Sequence, residues 1–333
     1  MDITKEDIMI NNTRQNILTL YSDRNNPVLL IVHGGPGSPD RPLVCEYNSE
    51  LANHFTVVCW DQRGSGLSYS KKNKREPLTI ELMLSDLKEL VIYLTEEYKQ
   101  DKIYIAGHSW GAYLGLRFVE KYPQYVRYYI GTGQGISSTE DEIDKYNFVK
   151  AQAEKADDDK ILQKLEHFGK PDGMRYQHDT ENARKTVGKL IHKYGGYIHP
   201  KSGFSMNLYL SLYLKHYGIN TIKVLKGINY SVSRLTPMVE LDNSISEIKS
   251  LDVPILFIFG EQDYICPVPT AKRWFDNLSA PKKKFVVIPD AAHMVNFEQA
   301  AAWNNEIIKN CIWQKTSPCL RNAKNTVYNS ITK

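Results

Sequence analysis

Residues 102–118 read KIYIAGHSWGAYLGLRF. KIYIA is a strand-sized apolar run, and a helical pattern occupies 111–122. Between them stands Gly107-His108-Ser109-Trp110-Gly111. A serine caught between strand and helix must sit on a sharp turn, and the flanking glycines answer to crowding, because a Cβ at either would collide with neighbouring backbone. The turn lifts the hydroxyl out of the sheet. It also aims the amino terminus of the following helix at it, which favours developing negative charge. The bland alternative is a glycine-rich turn holding an incidental serine.

Outward from this stretch, similar runs recur: PVLLIVHGG, FTVVCWDQRG, VRYYIGTG and, after a long interval, PILFIFGEQD and KKFVVIPDAAH. Short runs rich in Val, Ile and Tyr, apolar on both faces, read as buried parallel strands. Helical patterns at 80–98, 111–122, 270–278 and 298–313 alternate with them, which predicts an α/β fold with a doubly wound, mostly parallel sheet and right-handed crossovers. The rhythm stops between 132 and 250. Amphipathic stretches rich in Lys and Tyr, such as 146–168 and 204–216, replace it. An insertion at the carboxyl edge of a parallel sheet sits over the place where such sheets bind ligands, so it reads as a helical lid. The expected organisation is a first core segment 1–131, a lid 132–250, a second core segment 251–313 and a polar tail 314–333.

The chain has 333 residues, 42 basic and 38 acidic side chains and 42% hydrophobic residues, ample for an unstapled core and unlike collagen or a disordered chain. The net charge of +4 is too weak to mark a nucleic-acid binder, and local clustering would have to supply one. The cysteines (Cys45, Cys59, Cys266, Cys311, Cys319) are odd in number and lack a CxxC pair, which argues for reduced thiols in a cytoplasmic protein and against a zinc site. The amino terminus has no apolar core of a signal peptide, and the apolar runs fall far short of a bilayer span. No membrane association is expected. Within the lid, 140–181 is acid-rich, whereas 182–239 has no Asp or Glu and nine Lys and Arg. That is either a solvated basic face or a field favouring an anionic substrate. Its interleaved tyrosines, Tyr194 to Tyr217, read as lid core or pocket wall rather than as a base-stacking surface.

His33-Gly34-Gly35-Pro36-Gly37 follows the strand PVLLIV. Adjacent glycines let backbone N–H groups turn toward a reacting carbonyl, and the proline stiffens the loop. The N–H groups of Gly35 and Trp110 would then form an oxyanion hole, with His33 bracing the loop rather than moving protons. A plain Gly-Pro turn is the alternative. Acyl transfer also needs a base and a group to orient it. Asp263 in GEQD and His293 in AAH both fall just after strands, and the order Ser109, Asp263, His293 suits a nucleophile, an orienting acid and a base built on one sheet. Asp290 and Glu261 are the rivals for Asp263. His108 adjoins the nucleophile from the wrong position, and His178, His192, His199 and His216 lie in the lid, so all five read as surface or packing.

HGGPG (33–37), DQRGSGLS (61–68), GHSWG (107–111), GEQD with Asp263 and AAH with His293 together resemble the proline iminopeptidase-like branch of the α/β-hydrolase superfamily. The resemblance covers the sheet on both sides of the lid, roughly 26–129 and 250–313, and not the lid. It implies a serine peptidase that removes an amino-terminal residue, often proline, from a small molecule or short peptide, with no cofactor or metal. It further implies that Gly34, Pro36, Asp61 and Arg63 support the loops around the site. This chain departs from the branch in placing His108 where glycine is usual. Such aminopeptidases fix the free amine with lid acids, since a cation in a closed pocket needs a partner. The acids available are Glu140, Asp141, Glu142, Asp144, Glu240 and Asp242, with Glu140 and Glu240 the best candidates. Two other readings remain: an esterase, lactonase or carbon–carbon bond hydrolase on a small, even anionic, substrate, and a hydrolase-fold protein that binds a ligand without turnover.

Overall fold

The computed structural model describes residues 1–70 and 77–312. The expected polar tail at 314–333 lies outside the described residues, as do Trp313 and Cys319. One eight-stranded sheet organises the chain, in the order β1-β2-β4-β3-β5-β6-β7-β8. The strands are β1 (Asp2–Ile10), β2 (Thr13–Tyr21), β3 (Val28–Val32), β4 (Thr56–Asp61), β5 (Ile103–His108), β6 (Val126–Thr132), β7 (Ile255–Gly260) and β8 (Lys283–Ile288). From β4 to β8 all neighbours are parallel, and β1 and β2 add an antiparallel edge.

Alternation along the strands divides the core between the two faces. Leu30, Val32, Ile105, Phe257 and Phe259 pack on one side with α2 (Ile80–Glu97), α3 (Trp110–Lys121) and α10 (Val268–Asn277). Leu29, Ile31, Tyr104, Leu256 and Ile258 face α1 (Arg41–Tyr47), α11 (Val295–Glu298) and α12 (Ala300–Cys311). Continuous apolar runs are what a sheet covered on both faces requires.

The stretch between β6 and β7 contains α4 (Ser138–Lys155), α5 (Asp159–Phe168), α6 (Thr180–Lys193), α7 (Met206–Tyr217), α8 (Thr221–Leu241) and α9 (Ser244–Glu247). Tyr146, Val149, Leu165, Phe168, Val187 and Ile191 give α4 to α6 a core of their own. The single helix expected at 146–168 is two helices. Asp157 takes a positive φ of 49°, and the Asp158 carboxylate accepts the Ile161 N–H at 3.2 Å to cap the second. The β1–β2 hairpin is an addition to the expected elements. β1 is exposed at all but Ile8 and Ile10, so it lacks the apolar run of an inner strand. Its one local signal is Asn11-Asn12, which turns the hairpin with φ of 42° and 58°.

A buried ion pair ties the antiparallel edge to the parallel sheet. Arg41 donates from Nε to Asp61 Oδ1 at 2.8 Å and from Nη1 to Asn16 Oδ1 at 2.7 Å, and its Nη2 lies 2.6 Å from Asp61 Oδ2. Both side chains are essentially inaccessible, at 0% and 1% exposure. Arg63 makes a second such pair with Asp86 and donates to Thr13 Oγ1 at 2.6 Å, pinning α2 and β2 to the same loop. Breaking a buried pair on one side leaves a charge without compensation. Arg41→Met is therefore expected to lower the unfolding free energy by about 3–5 kcal/mol, and Arg41→Met with Asp61→Leu to recover most of it, measured by urea denaturation.

Candidate active site

Ser109 sits at φ 55°, ψ −118°, between the end of β5 and the first residue of α3. The flanking glycines make that conformation reachable. A Cβ on Gly107 would lie 2.4 Å from Gly111 O, and one on Gly111 would lie 1.9 Å from Val32 O. Helix and strand approach so closely here that only hydrogen fits at either position. Trp110 begins α3, so its N–H is one that the helix itself leaves unsatisfied. Gly35, at φ 116°, lines the same space as Ser109, and a Cβ there would lie 2.7 Å from the N atoms of Gly37 and Ser38.

Asp263 and His293 arrive on loops after β7 and β8. The His293 Nδ1–H donates to Asp263 at 2.9 Å to Oδ2 and 3.1 Å to Oδ1. Asp263 is fully buried, and its Oδ1 accepts the N–H groups of Ile265 and Cys266, each at 3.0 Å. These bonds make it an acceptor only, which orients the imidazole with Nε2 free. His293 and Ser109 line one chamber together. The rivals for Asp263 lie elsewhere: Glu261 is exposed, and Asp290 faces Lys201 at 3.7 Å on the surface.

Residues 27–300 match the family described as alpha/beta hydrolase fold. The chain belongs to that family. It is 31% identical over 312 residues, 91% of this chain and 94% of the relative, to the protein named Probable aminopeptidase YbaC of Bacillus subtilis (strain 168). It is 24% identical over 316 residues, 91% of this chain and 96% of the relative, to a Proline iminopeptidase of Lactobacillus delbrueckii subsp. bulgaricus. The proline iminopeptidase-related protein TTHA1809 from Thermus thermophilus superposes with a TM-score of 0.65 at 17% identity, over 93% of this chain and 97% of that one, a likeness of fold.

In this α/β hydrolase His33 belongs to a hydrogen-bonded network that reaches Trp110. His33 Nε2 lies 2.9 Å from Ser65 Oγ, Gln62 Nε2 donates to His33 O at 2.9 Å, and Gln62 Oε1 accepts the Trp110 indole N–H at 2.9 Å. Burial pushes the His33 imidazole down to about 4, so it stays neutral. Gly34 leaves room for the serine, since a Cβ there would lie 3.3 Å from Ser109 Cβ. His108 has a role that the sequence does not show. Its Nε2–H donates to His293 O at 2.9 Å, and burial holds it neutral with a pKa of about 3. Glu298 has another. Its Oε1 accepts the N–H groups of Ala292 and Met294, each at 3.0 Å, clamping the loop on both sides of His293. The lid adds a third hold, because Tyr197 O accepts His293 N–H at 3.1 Å and Gly196 O accepts Tyr264 N–H at 3.1 Å.

Two chambers meet at Ser109, with Gly35 and Ile265 also in both. The larger, about 230 Å³, is walled by Trp110, Tyr113, Ile136, Val239 and Ile245 and holds Asp141, Lys145, Glu240 and Asp242. The smaller, about 140 Å³, holds His293, Asp40, Tyr197, Tyr209 and Phe297.

The lid acids are not placed as expected. Glu140 is corrected: it faces outward, 54% exposed and paired with Arg273 at 3.2 Å, because α4 turns the next residue, Asp141, inward. Glu240 does line the larger chamber, but Arg184 holds it at 3.1 Å. Asp242 is paired with Arg117 and Tyr113. Asp141 is 7% exposed, and no hydrogen bond or ion pair among the described residues engages its carboxyl. Burial pushes that carboxyl up to about 7 against the pull of Lys145. None of the nine basic residues of 182–239 lines either chamber.

Gly111→Ala should displace the serine turn and cost at least about 1–3 kcal/mol, as overpacking does, whereas Gly188→Ala, in α6 with nothing within 4 Å of the new Cβ, should be neutral or stabilising. Thermal denaturation of the two variants checks the contrast.

Proposed function

We propose that the protein is a serine aminopeptidase of proline iminopeptidase type, working through an acyl-enzyme. Ser109 Oγ adds to the amide carbon of the substrate while its proton passes to His293 Nε2, and Asp263 stabilises the resulting imidazolium. The carbonyl oxygen, now an oxyanion, takes hydrogen bonds from the N–H groups of Trp110 and Gly35, each worth about 3–4 kcal/mol in the transition state. The carbon–nitrogen bond then breaks, and the imidazolium proton goes to the departing amine. Water gives a proton to His293 as its oxygen attacks the acyl carbon, and the proton returns to Ser109 as the acid leaves.

The observation that carries the aminopeptidase reading is Asp141. Among the described residues no hydrogen bond or ion pair engages its carboxyl, which shares with Ser109 and Lys145 a chamber whose apolar walls suit a ring such as proline. A buried acid left unpaired is costly, and a substrate ammonium is the partner that would relieve it. Glu240, tied to Arg184, supplies further negative charge at the same wall. The kinship with relatives named as an aminopeptidase and a proline iminopeptidase points the same way.

Prolyl arylamides should be cleaved, with Ser109→Ala abolishing both turnover and labelling by a fluorophosphonate. Acetylating the substrate amine should abolish cleavage, and equal turnover of the acetylated substrate would falsify the reading. Short esters turned over far faster than any aminoacyl arylamide would favour an esterase, and saturable binding without labelling a non-catalytic receptor.

Asp141→Asn should raise KM for free-amine substrates roughly 10- to 100-fold, the worth of a charge-assisted hydrogen bond, with a smaller change in kcat. Because the Asp141 carboxyl is held up near 7, it is protonated below that pH and ionised above it. KM of the wild type should therefore fall as pH rises from 6 to 8, and this limb should be missing from Asp141→Asn.

A further inference from the structure

We infer that the smaller chamber is the leaving-group subsite, that it takes one aromatic-sized amine, and that Asp40 makes it reject leaving groups carrying a carboxylate. The inference rests on acyl transfer at Ser109 and extends the proposed function to the other half of the substrate.

The assignment of the chamber follows from proton transfer. Whatever departs must receive its proton from His293, so it must lie within reach of that imidazole. His293 opens into the smaller chamber and Asp141 into the larger, with Ser109 between them. An acyl group whose amine meets Asp141 therefore places its leaving group beside His293.

Size and lining set the first preference. At about 140 Å³, the chamber is close to the ~150 Å³ cavity that accommodates benzene. Its walls are Leu43, Tyr197, Tyr209 and Phe297, and the Tyr197 ring lies 5.9 Å from that of His293. Aromatic walls at such spacing favour a ring in edge or offset contact.

Asp40 sets the second preference. It is 6% exposed and lines this chamber as well as a separate cavity of about 10 Å³ bordered by Asn48 and Asn296. Although it precedes α1, its side chain makes no cap to that helix. The adjacent cation, Arg41, donates to Asp61 and Asn16 rather than to Asp40. Asp61 and Arg41 act on Asp40 with opposite signs and are paired with each other. A carboxylate brought into this chamber meets a like charge at its wall, whereas a neutral carboxamide of the same shape does not. Burial pushes the Asp40 carboxyl up to about 7, so an assay at pH 8 presents it ionised.

The test uses leaving groups that differ only in charge: prolyl-4-aminobenzamide against prolyl-4-aminobenzoate, and 4-acetoxybenzamide against 4-acetoxybenzoate, all at pH 8. The neutral member of each pair should have the higher kcat/KM by about tenfold or more, and Asp40→Asn should bring the ratio to within about threefold of unity. Tyr209→Ala, which removes a wall ring, should raise KM for the benzamides. If the prolyl compounds are inert but the acetates show the Asp40-dependent ratio, the aminopeptidase reading falls and the subsite stands. If both series are inert, calorimetric binding of 4-aminobenzamide and 4-aminobenzoate to the wild type and Asp40→Asn decides, with the same preference expected. A ratio equal in wild type and Asp40→Asn, in turnover or in binding, overturns the inference.

Discussion

The rest of the site depends on the close approach of α3 to β3 beneath Ser109. Helix and strand come near enough that Val32 O would stand 1.9 Å from any Cβ at residue 111. That proximity holds Ser109 at φ 55°, ψ −118°, a conformation that ordinarily costs on the order of 1–3 kcal/mol for a residue with a side chain. The surrounding packing offsets this cost. Phe118, Val119, Leu114 and Tyr129 are buried around α3, and the Tyr129 hydroxyl donates to Ala112 O at 2.6 Å in the first turn of the helix. The hydroxyl of Ser109 is raised above the sheet because the helix below it cannot move away.

The partners of that serine are held by backbone rather than by side chains alone. Glu298 accepts from the peptide groups on either side of His293, and His108 fixes the His293 carbonyl from below. The stretch of lid chain around 194–197 bonds to the Asp263 loop through Tyr264 and to the His293 loop directly, while Gln262 Nε2 donates to Tyr194 O at 2.9 Å. The insertion is thus more than a cover. Its backbone is a strut between the two loops, so the spacing of Asp263 and His293 depends on lid and core folding together.

Buried acids show how the molecule separates structure from chemistry. Asp61 and Asp86 are matched by arginines, and Asp263 by two N–H groups and His293. Asp141 and Asp40 lack such matches, and they stand in different chambers on either side of Ser109. Acids that are satisfied hold the fold. Under the proposed function, the Asp141 carboxyl is left for a substrate amine.

What the sequence determined by itself is whatever depends on neighbours in the chain. Apolar runs of strand length, glycines at 107 and 111, and acids and imidazoles just after strands are local patterns, and each has one economical placement on a parallel sheet. The hairpin of β1 and β2 escaped because an exposed edge strand needs no apolar run. Only the tertiary structure decided between Glu140 and Asp141, adjacent residues on α4 whose fates depend on the rotation of that helix against the core: one reaches Arg273 outside, the other the chamber wall. The same holds for the His199 N–H, which reaches Glu298 Oε2 from the stretch between β6 and β7 at 2.6 Å, a donor 99 residues away. Local propensity carries no information about which distant donor will arrive, because that is set by how the layers pack.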